Sequence, residues 1–299
     1  MKTQSHMNTD LTLVIMAAGL GSRFGGDKQL ASLGPAGEPM LVLSILSAIR
    51  SGFQRAVLVI RPELEAELLG ILTQFLPANF EYHFCYQSLS DLPQDAKLAD
   101  FSHRLKPWGT AHALWCARNC VNGPMAVINA DDFYGDSAFA SLAKGLTARP
   151  HDWMMVAYPI ELTLSEHGGV NRGLCQVEHG QLRSVAEWLN IQAQEDGFVG
   201  EGPMGFAKLP SQSLVSMTCW GFSPSIFDVI KQQLTVFIEQ QGQLPKSECY
   251  LPAVVQVAIE QGVPVYVDVA SEPWLGVTYP QDTVWVKQKL MELLGDKTH

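Results

Sequence analysis

The fold of this chain is decided by one stretch near its N-terminus, Val14-Ile15-Met16-Ala17-Ala18-Gly19-Leu20-Gly21-Ser22-Arg23-Phe24-Gly25-Gly26-Asp27-Lys28-Gln29. A buried apolar strand, Leu11–Met16, runs directly into a glycine-rich loop that carries two cations. Glycines let the backbone approach a phosphate chain with its N–H groups turned inward. Arg23 can hold phosphate oxygens with a planar guanidinium, and Lys28 adds a compact charge. The stretch predicts a phosphate-binding loop rather than a plain turn.

Two well-known phosphate loops do not fit this stretch. A P-loop needs Gly-Lys-Ser/Thr at the start of a helix, and that tripeptide is absent here. The dinucleotide fingerprint needs a third glycine where Phe24 stands. It also needs an acidic residue after the second strand, but the strand Ala56–Ile60 ends in Arg61. A nicotinamide oxidoreductase is therefore disfavoured.

Composition narrows the class of protein and of ligand. The 299 residues are 47% hydrophobic and 17% charged, which excludes a disordered chain. The net charge is −10 and no stretch is strongly basic, so nucleic acid and membrane partners are not expected. The six cysteines are scattered without zinc-ligand spacing, as in a reduced, cytoplasmic protein. The N-terminal apolar run is too short for a membrane span.

Alternating apolar runs and helical spacing predict an α/β fold with parallel strands in the first half. The second half has several strands in succession before its helices return. Predicted strands are Leu11–Met16, Ala56–Ile60, Tyr82–Tyr86, Met125–Asn129, Trp153–Tyr158, Gly173–Glu178, Leu182–Trp188, Ser213–Phe222 and Val263–Val269. Predicted helices are Pro39–Arg50, Pro62–Phe75, Gly109–Cys120, Pro224–Gln240, Tyr250–Gln261 and one from about Pro280. The long polar segment Ser88–Leu105 predicts a loop.

Two further stretches carry chemistry. One strand ends in two carboxylates that suit Mg²⁺, in the stretch Val127-Ile128-Asn129-Ala130-Asp131-Asp132-Phe133-Tyr134-Gly135. The alternative is that one of the two carboxylates only caps the helix expected near Asp136. In Lys106-Pro107-Trp108-Gly109-Thr110-Ala111-His112-Ala113-Leu114, small residues open a helix whose N-terminus can meet a nucleobase or a phosphate. His112 fits a structural helix position better than a catalytic base.

At these three stretches the chain resembles the sugar-phosphate nucleotidyltransferases, which include glucose-1-phosphate thymidylyl- and uridylyltransferases. The resemblance implies a three-layer α/β/α sandwich with a mixed, mostly parallel sheet, of nucleotide-diphospho-sugar transferase type. It implies a single domain over residues 1–299, with an NTP-binding half at about 10–150 and an acceptor-binding half at about 151–299. The implied substrates are an NTP, a pyrimidine one favoured, and a phosphorylated small acceptor.

The resemblance also assigns roles by position. It implies that Arg23, Lys28 and Asp131 are catalytic, that Asp131 and Asp132 bind Mg²⁺, and that Arg172, Gly173 and Glu187 bind the acceptor. The implied nucleotide-binding residues are Ala17, Ala18, Gly19, Leu20, Gly21, Ser22, Gln87, Gly109 and Thr110.

Two positions depart from the family pattern. Trp188 stands where the acceptor-side hairpin usually has Lys, and Gly276 stands where the C-terminal Trp-x-Asp usually has a metal-binding Asp. Arg172 is the candidate replacement cation, with Lys208 and Lys246 in reserve, although Arg172 is equally compatible with a solvated turn.

The expected reaction is Mg²⁺-dependent transfer of NMP to a sugar phosphate or similar monoester, with release of pyrophosphate. Two alternatives stay open, a non-catalytic nucleotide-sensing protein and a glycosyltransferase that uses a sugar nucleotide. The sequence also leaves open whether the chain forms a homo-oligomer.

Overall fold

The computed structural model describes residues 10–19, 31–96, 100–165, 167–277 and 282–295. In the first half, helices separate most of the strands. The elements are β1 (Thr12–Met16), α1 (Met40–Arg50), β2 (Arg55–Ile60), α2 (Glu65–Phe75), β3 (Glu81–Tyr86), α3 (Thr110–Cys116), β4 (Met125–Asn129), β5 (Asp132–Phe133) and α4 (Asp136–Ala148).

In the second half, strands follow one another before the helices return. The elements are β6 (Trp153–Pro159), β7 (Val170–Glu178), β8 (Gln181–Gln194), β9 (Gly197–Gly202), β10 (Gly205–Leu209), β11 (Leu214–Phe222), α5 (Ile226–Gln241), α6 (Leu251–Glu260), β12 (Val265–Val269), β13 (Leu275–Gly276) and α7 (Asp282–Leu294).

One mixed sheet runs through both halves of the chain. Its order is β10-β9-β8-β12-β6-β11-β4-β1-β2-β3, with β7 beside β11 and β8. The strands β1 to β4 pair in parallel, as does β12 with β6. The remaining pairings of this sheet are antiparallel. Those among β7 to β10 connect consecutive strands through short turns, which need no crossover helix. The mixed sheet is confirmed, but the expectation of a mostly parallel sheet is wrong: parallel pairs are confined to β1–β4 and to β12–β6, and the antiparallel pairs outnumber them among the described strands.

Helices cover both faces of this sheet, so the predicted three-layer α/β/α sandwich is confirmed. Side chains alternate along each strand, and β1 illustrates the result. Leu13 and Ile15 are fully buried in a core with α1, α2 and α4. Val14 is fully buried in a second core on the opposite face, with α3, α5 and α6. A strand buried on both faces must be apolar throughout, as this one is.

The parallel register brings the predicted functional segments to one edge of the sheet. Met16 in β1 pairs with Asn129 in β4. Beyond the strand ends, Ala17 N–H donates to Val59 O at 2.8 Å and Ala130 N–H donates to Met16 O at 3.2 Å. The loops after β1 and β4 therefore leave the sheet side by side.

Several elements differ from the prediction, most of all α3, β8 and the hairpin that follows β8. Helix α3 ends at Cys116 rather than Cys120, and residues 117–120 form turns in which Arg118 pairs with Asp91 at 2.7 Å. Strand β8 extends to Gln194, and the hairpin β9–β10 was not predicted. That hairpin is rich in glycine, and its buried apolar side chains (Phe198, Val199 and Leu209) are too few and too scattered to give the apolar enrichment by which strands are recognised.

All six cysteines are unpaired by disulfides in the structure. None of the helices within the described ranges has both the length and the apolar composition needed to cross a bilayer.

Helix α3 starts against the backbone of a distant segment, and only glycine fits at its N-cap. Gly109 has φ of +102°, and a Cβ built on it would lie 2.5 Å from Cys249 O. The segments are joined by hydrogen bonds from Cys249 N–H to Trp108 O at 2.7 Å and from Ala111 N–H to Cys249 O at 3.0 Å. The start of α3 is thereby fixed relative to the loop before α6.

Gly109→Ala should lower the free energy of unfolding by clearly more than Gly37→Ala, measured by denaturant titration. Gly37 is the matched control, because its φ of +88° is also positive but nothing lies within 4 Å of its Cβ position. The control isolates the backbone strain, about 1–3 kcal/mol. Equal losses in the two variants would show that the contact with Cys249 does not constrain α3.

Candidate functional site

A cleft of about 510 Å³ opens at the carboxyl edge of the parallel strands. The structure brings six of the predicted nucleotide-side residues together in its lining: Ala18, Gly19, Gln87, Gly109, Thr110 and Asp131. Ala17, which precedes Ala18 in the chain, is buried and does not line the cleft. The other predicted residues of the glycine loop, Leu20, Gly21, Ser22, Arg23 and Lys28, lie outside the described residues. Open α/β sheets bind ligands at this edge, and we call this space the nucleotide-side cleft.

The far wall of the nucleotide-side cleft comes from the second half of the chain. Lys246 and Glu248 line it together with Lys106. Lys106 Nζ lies 2.5 Å from Glu248 Oε1, so a charge pair joins the segment before α3 to the segment before α6. Lys246, a reserve candidate for the acceptor cation, is thus placed on the nucleotide side.

A buried arginine that sequence analysis missed holds these two segments together. The guanidinium of Arg104 donates to Pro107 O at 3.1 Å and to Ser247 O at 2.5 Å. It also lies 4.0 Å over the ring of Trp108. Only 8% of Arg104 is exposed, so its charge is stabilised by carbonyl acceptors and the aromatic face rather than by water. No sequence motif marks this residue, because its partners are far away along the chain.

The side chains of the α3 segment are largely engaged in internal contacts. Thr110 Oγ1 accepts a hydrogen bond from Leu251 N–H at 2.9 Å, so its hydroxyl holds α6 against α3. His112 is fully buried, and burial lowers the pKa of its imidazole to about 4. It is therefore neutral at pH 7 and has a structural position, in line with the sequence-based preference. Gln87, which lines the cleft, lies 3.2 Å from His112 Nδ1.

A second cleft, of about 770 Å³, adjoins the first. The three predicted acceptor-side residues, Arg172, Gly173 and Glu187, line it together with Asp132. Thr110 and Asn129 line both clefts. The two spaces therefore meet where β4 ends and α3 begins, and we call the second space the acceptor-side cleft.

Arg172 is a buried strand residue, so its interpretation as a solvated turn residue is wrong. It lies on β7, is 8% exposed, and stacks 4.9 Å from the ring centre of Trp274. Its guanidinium donates to Asn171 O at 2.9 Å and to Thr163 O. Burial lowers the pKa of Arg172 to about 10, although Asp132 opposes the shift, so the side chain is charged at neutral pH. Within the described part of the chain, its Nε is buried without a hydrogen-bond partner.

The other acceptor-side groups contribute polarity around this cation. Burial raises the pKa of Glu187, and the charge of Arg172 opposes the shift. Asn171 and Gln256 add neutral amides to the same lining. Lys208 lies instead on the exposed strand β10.

The paired carboxylates lie one on each side of the meeting point. Asp131 is partly exposed and lines the nucleotide-side cleft. Asp132 is 7% exposed and lines the acceptor-side cleft, and its Oδ2 accepts from Asn129 Nδ2 at 3.0 Å. Neither caps α4, whose N-cap residue is Gly135. In the described ranges, no three His, Cys, Asp or Glu side chains converge as a ready-made metal cluster.

The two departures from the family pattern have structural explanations. A Cβ at Gly276 would lie 2.1 Å from the Trp274 ring and 3.0 Å from Asp132 Oδ1. Gly276 pairs with Asp132 across β13 and β5, so the Asp132 carboxylate stands beside the space of the missing Asp. Trp188 pairs with Arg172 across β7 and β8, which places a cation next to the position of the missing Lys.

Residues 13–93 match the family model of the MobA-like NTP transferase domain. No curated protein sequence matches the chain. A solved structure from Bacillus anthracis, described as a glucose-1-phosphate thymidylyltransferase in complex with a sucrose, is 13% identical with a TM-score of 0.64, and the match covers 94% of this chain and 95% of that one.

Two further solved structures share the fold at similar identity. The inositol-1-phosphate CTP transferase from T. maritima is 12% identical with a TM-score of 0.60, over 96% of this chain and 98% of that one. UDP-glucose pyrophosphorylase from Acinetobacter baumannii is 12% identical with a TM-score of 0.61, over 95% of this chain and 94% of that one. Residues 13–93 thus match an NTP transferase domain model, and the chain as a whole shares the fold of these three structures, in agreement with the resemblance seen in the sequence.

Proposed function

We propose that the chain transfers the nucleoside monophosphate unit of an NTP to a phosphate monoester, a sugar phosphate first, and releases pyrophosphate. The observation that carries this proposal is the meeting of two clefts at Thr110 and Asn129. An NTP in the nucleotide-side cleft and an acceptor in the other would have their reacting groups at the common boundary. Bringing two reactants together in this way accounts for much of the catalysis in such reactions.

In the proposed step, an acceptor phosphate oxygen attacks the α-phosphorus of the NTP and forms a new P–O bond. The bond from the α-phosphorus to the oxygen that bridges to the β-phosphate breaks, and pyrophosphate leaves with the electron pair. No general base is required, because a phosphate monoester is already ionised at pH 7. Arg23 and Lys28 are proposed to offset the charge of the triphosphate and of the leaving group.

Asp131 and Asp132 are the proposed residues for Mg²⁺. Mg²⁺ prefers carboxylate oxygens and commonly binds through one or two of them plus substrate phosphates, so a closed protein cluster is not required. Asp132 is held in place by Asn129 and stands beside the Asp that Gly276 replaces. When bound, the ion would neutralise charge that develops on the phosphate oxygens.

We propose that the chain forms a single domain in which each substrate site includes residues from both halves. The nucleotide-side cleft takes Lys246 and Glu248 from the second half, and the acceptor-side cleft takes Thr110 and Asn129 from the first. Each substrate would therefore contact both halves. Each proposed substrate site is thus centred on one half of the chain, before or after about residue 150, but also includes residues of the other half.

The acceptor-side cleft suits a hydroxyl-rich monophosphate. Glu187, Asn171 and Gln256 offer hydrogen bonds to sugar hydroxyls, and Arg172 supplies a positive charge. A pyrimidine NTP, UTP or dTTP before CTP, is proposed as the donor on the resemblance of the α3 start alone. A cytoplasmic location is proposed from the six free thiols.

A non-catalytic nucleotide sensor is the second candidate, favoured by the single observation that Gly276 replaces an expected metal ligand. The deciding experiment is pyrophosphate release with Mg²⁺, for each common NTP against sugar-1-phosphates and small phosphate monoesters. Release that depends on both substrates and stops with EDTA supports the transferase. NTP binding without release under any acceptor supports the sensor.

Lys28→Ala should remove most turnover while leaving the unfolding transition nearly unchanged. The expected reason is loss of a charge on the triphosphate, which acts mainly in the transition state. Lys208→Ala, on the exposed hairpin strand, is the matched control and should keep its rate. Near-normal pyrophosphate release by Lys28→Ala would refute the proposed role.

Arg172→Ala should raise KM for the acceptor by about 10- to 100-fold, with a much smaller change in KM for the NTP. The estimate corresponds to the loss of a charge-assisted hydrogen bond. Arg183→Ala changes an exposed arginine of the neighbouring strand β8 and should leave both constants unchanged. If Arg172→Ala folds and keeps its acceptor KM, another group must bind the acceptor phosphate.

A further inference from the structure

The side-chain amide of Gln87 is held by two contacts at the rim of the nucleotide-side cleft. Its Nε2 lies 3.1 Å from Gly109 O and 3.2 Å from His112 Nδ1. A backbone carbonyl can only accept a hydrogen bond, so the atom facing Gly109 O must be the amide nitrogen. The reverse orientation would bring two acceptor oxygens together. The Gly109 contact therefore already determines which way the amide points.

The imidazole of His112 determines the same orientation independently. Its Nε2 lies 2.9 Å from Asp91 O, which again can only accept, so Nε2 carries the proton. The ring is fully buried and neutral at pH 7, because burial lowers the pKa of His112. A neutral imidazole with its proton on Nε2 has a bare, accepting Nδ1. Nδ1 therefore receives the second N–H of the Gln87 amide.

The acceptor for His112 is itself held in place. The carboxylate of Asp91 accepts from Arg118 through both oxygens, at 2.7 and 2.8 Å. This two-point contact anchors the turn after β3 to the end of α3. The chain of contacts from Arg118 through Asp91 and His112 thus ends on Gln87.

We propose that His112 is a positioning residue for the nucleobase: with its proton on Nε2, it holds the Gln87 amide so that the amide oxygen faces the nucleotide-side cleft as a hydrogen-bond acceptor. Both hydrogens of Gln87 Nε2 are then used within the protein. Among the described residues, Gln87 Oε1 is then the atom of this amide that can still bind a ligand. The inference rests on the proposed function, because it assumes that the cleft binds an NTP.

This orientation determines the kind of base edge that Gln87 can read. A fixed acceptor pairs with a donor, such as the ring N–H of uracil, thymine or guanine, or the amino group of cytosine or adenine. A site built to accept from such a group discriminates against an analogue that lacks it, because the acceptor is then left without a partner. Without His112, the amide would lose one of the two contacts that orient it.

The first test is the tautomer of His112 in the ligand-free protein, measured by NMR of ¹⁵N-histidine-labelled chain at pH 7. The signals are assigned by their loss in His112→Asn. We expect Nε2 to be protonated and Nδ1 to be bare. A proton on Nδ1, or a charged ring, would overturn the proposal whether or not any nucleotide binds.

The second test compares two substitutions that differ in the position of the acceptor. The Asn side-chain oxygen can take the place of Nδ1, whereas the terminal atoms of Gln reach the place of Nε2. Both put an amide at the same buried site, and thermal unfolding checks that both fold. His112→Asn should keep the orientation of Gln87, and His112→Gln should lose it.

The readout is the ratio of dissociation constants between the best-binding NTP and its analogue without the donor. The pairs are UTP or CTP and zebularine triphosphate, ATP and nebularine triphosphate, and GTP and 2-aminopurine riboside triphosphate. The wild type and His112→Asn should bind the analogue about tenfold or more weakly. His112→Gln should bring the ratio towards one.

A folded His112→Gln variant with the full wild-type ratio would overturn the positioning role, as would a wild-type ratio of one. If neither variant folds, the tautomer and the wild-type ratio still decide the inference. Failure of every NTP to bind would contradict the proposed function instead, which the tautomer measurement distinguishes from a failure of this inference.

Discussion

The parallel register between β1 and β4 is the constraint on which the site depends. Because Met16 pairs with Asn129, the glycine loop that follows β1 and the two aspartates that follow β4 must leave the sheet as neighbours. The register itself is stabilised by burial, since β1 is covered on both faces and a shift by one residue would exchange its two cores. The burial that stabilises β1 in this register therefore also determines where the two loops leave the sheet.

A second constraint fixes what faces that edge. Helix α3 begins at a glycine pressed against Cys249, and Arg104 ties the preceding segment to Ser247. These contacts cross from the first half of the chain to the second. They place the start of α3 at the boundary of the two clefts, where Thr110 and Asn129 are common to both. A single rigid junction can in this way hold a donor and an acceptor in one relative position.

Local patterns predicted the elements of the parallel half well, because a strand that is buried on both faces must be a short apolar run. The sequence also pointed to residues that the structure places in the lining of the two clefts, because glycines and carboxylates at the ends of buried strands are typical of ligand-binding loops. Contacts between distant residues were beyond prediction. Arg104 and Cys249 have no local signature, and the burial of Arg172 depends on Trp274, about a hundred residues away in the sequence. The β9–β10 hairpin was missed because its few core side chains, such as Phe198 and Leu209, are separated by glycines and polar residues rather than forming an apolar run.

The stereochemical course at the α-phosphorus tests most directly whether the nucleotide passes in one step from the donor to an acceptor in the adjoining cleft. The substrate is an NTP of the base that supports turnover, with one α-phosphorus oxygen replaced by sulfur in a single configuration. Direct attack by the acceptor predicts inversion at phosphorus in the product. Retention would require a second displacement through a nucleotide bound covalently to the protein, and it would contradict the account.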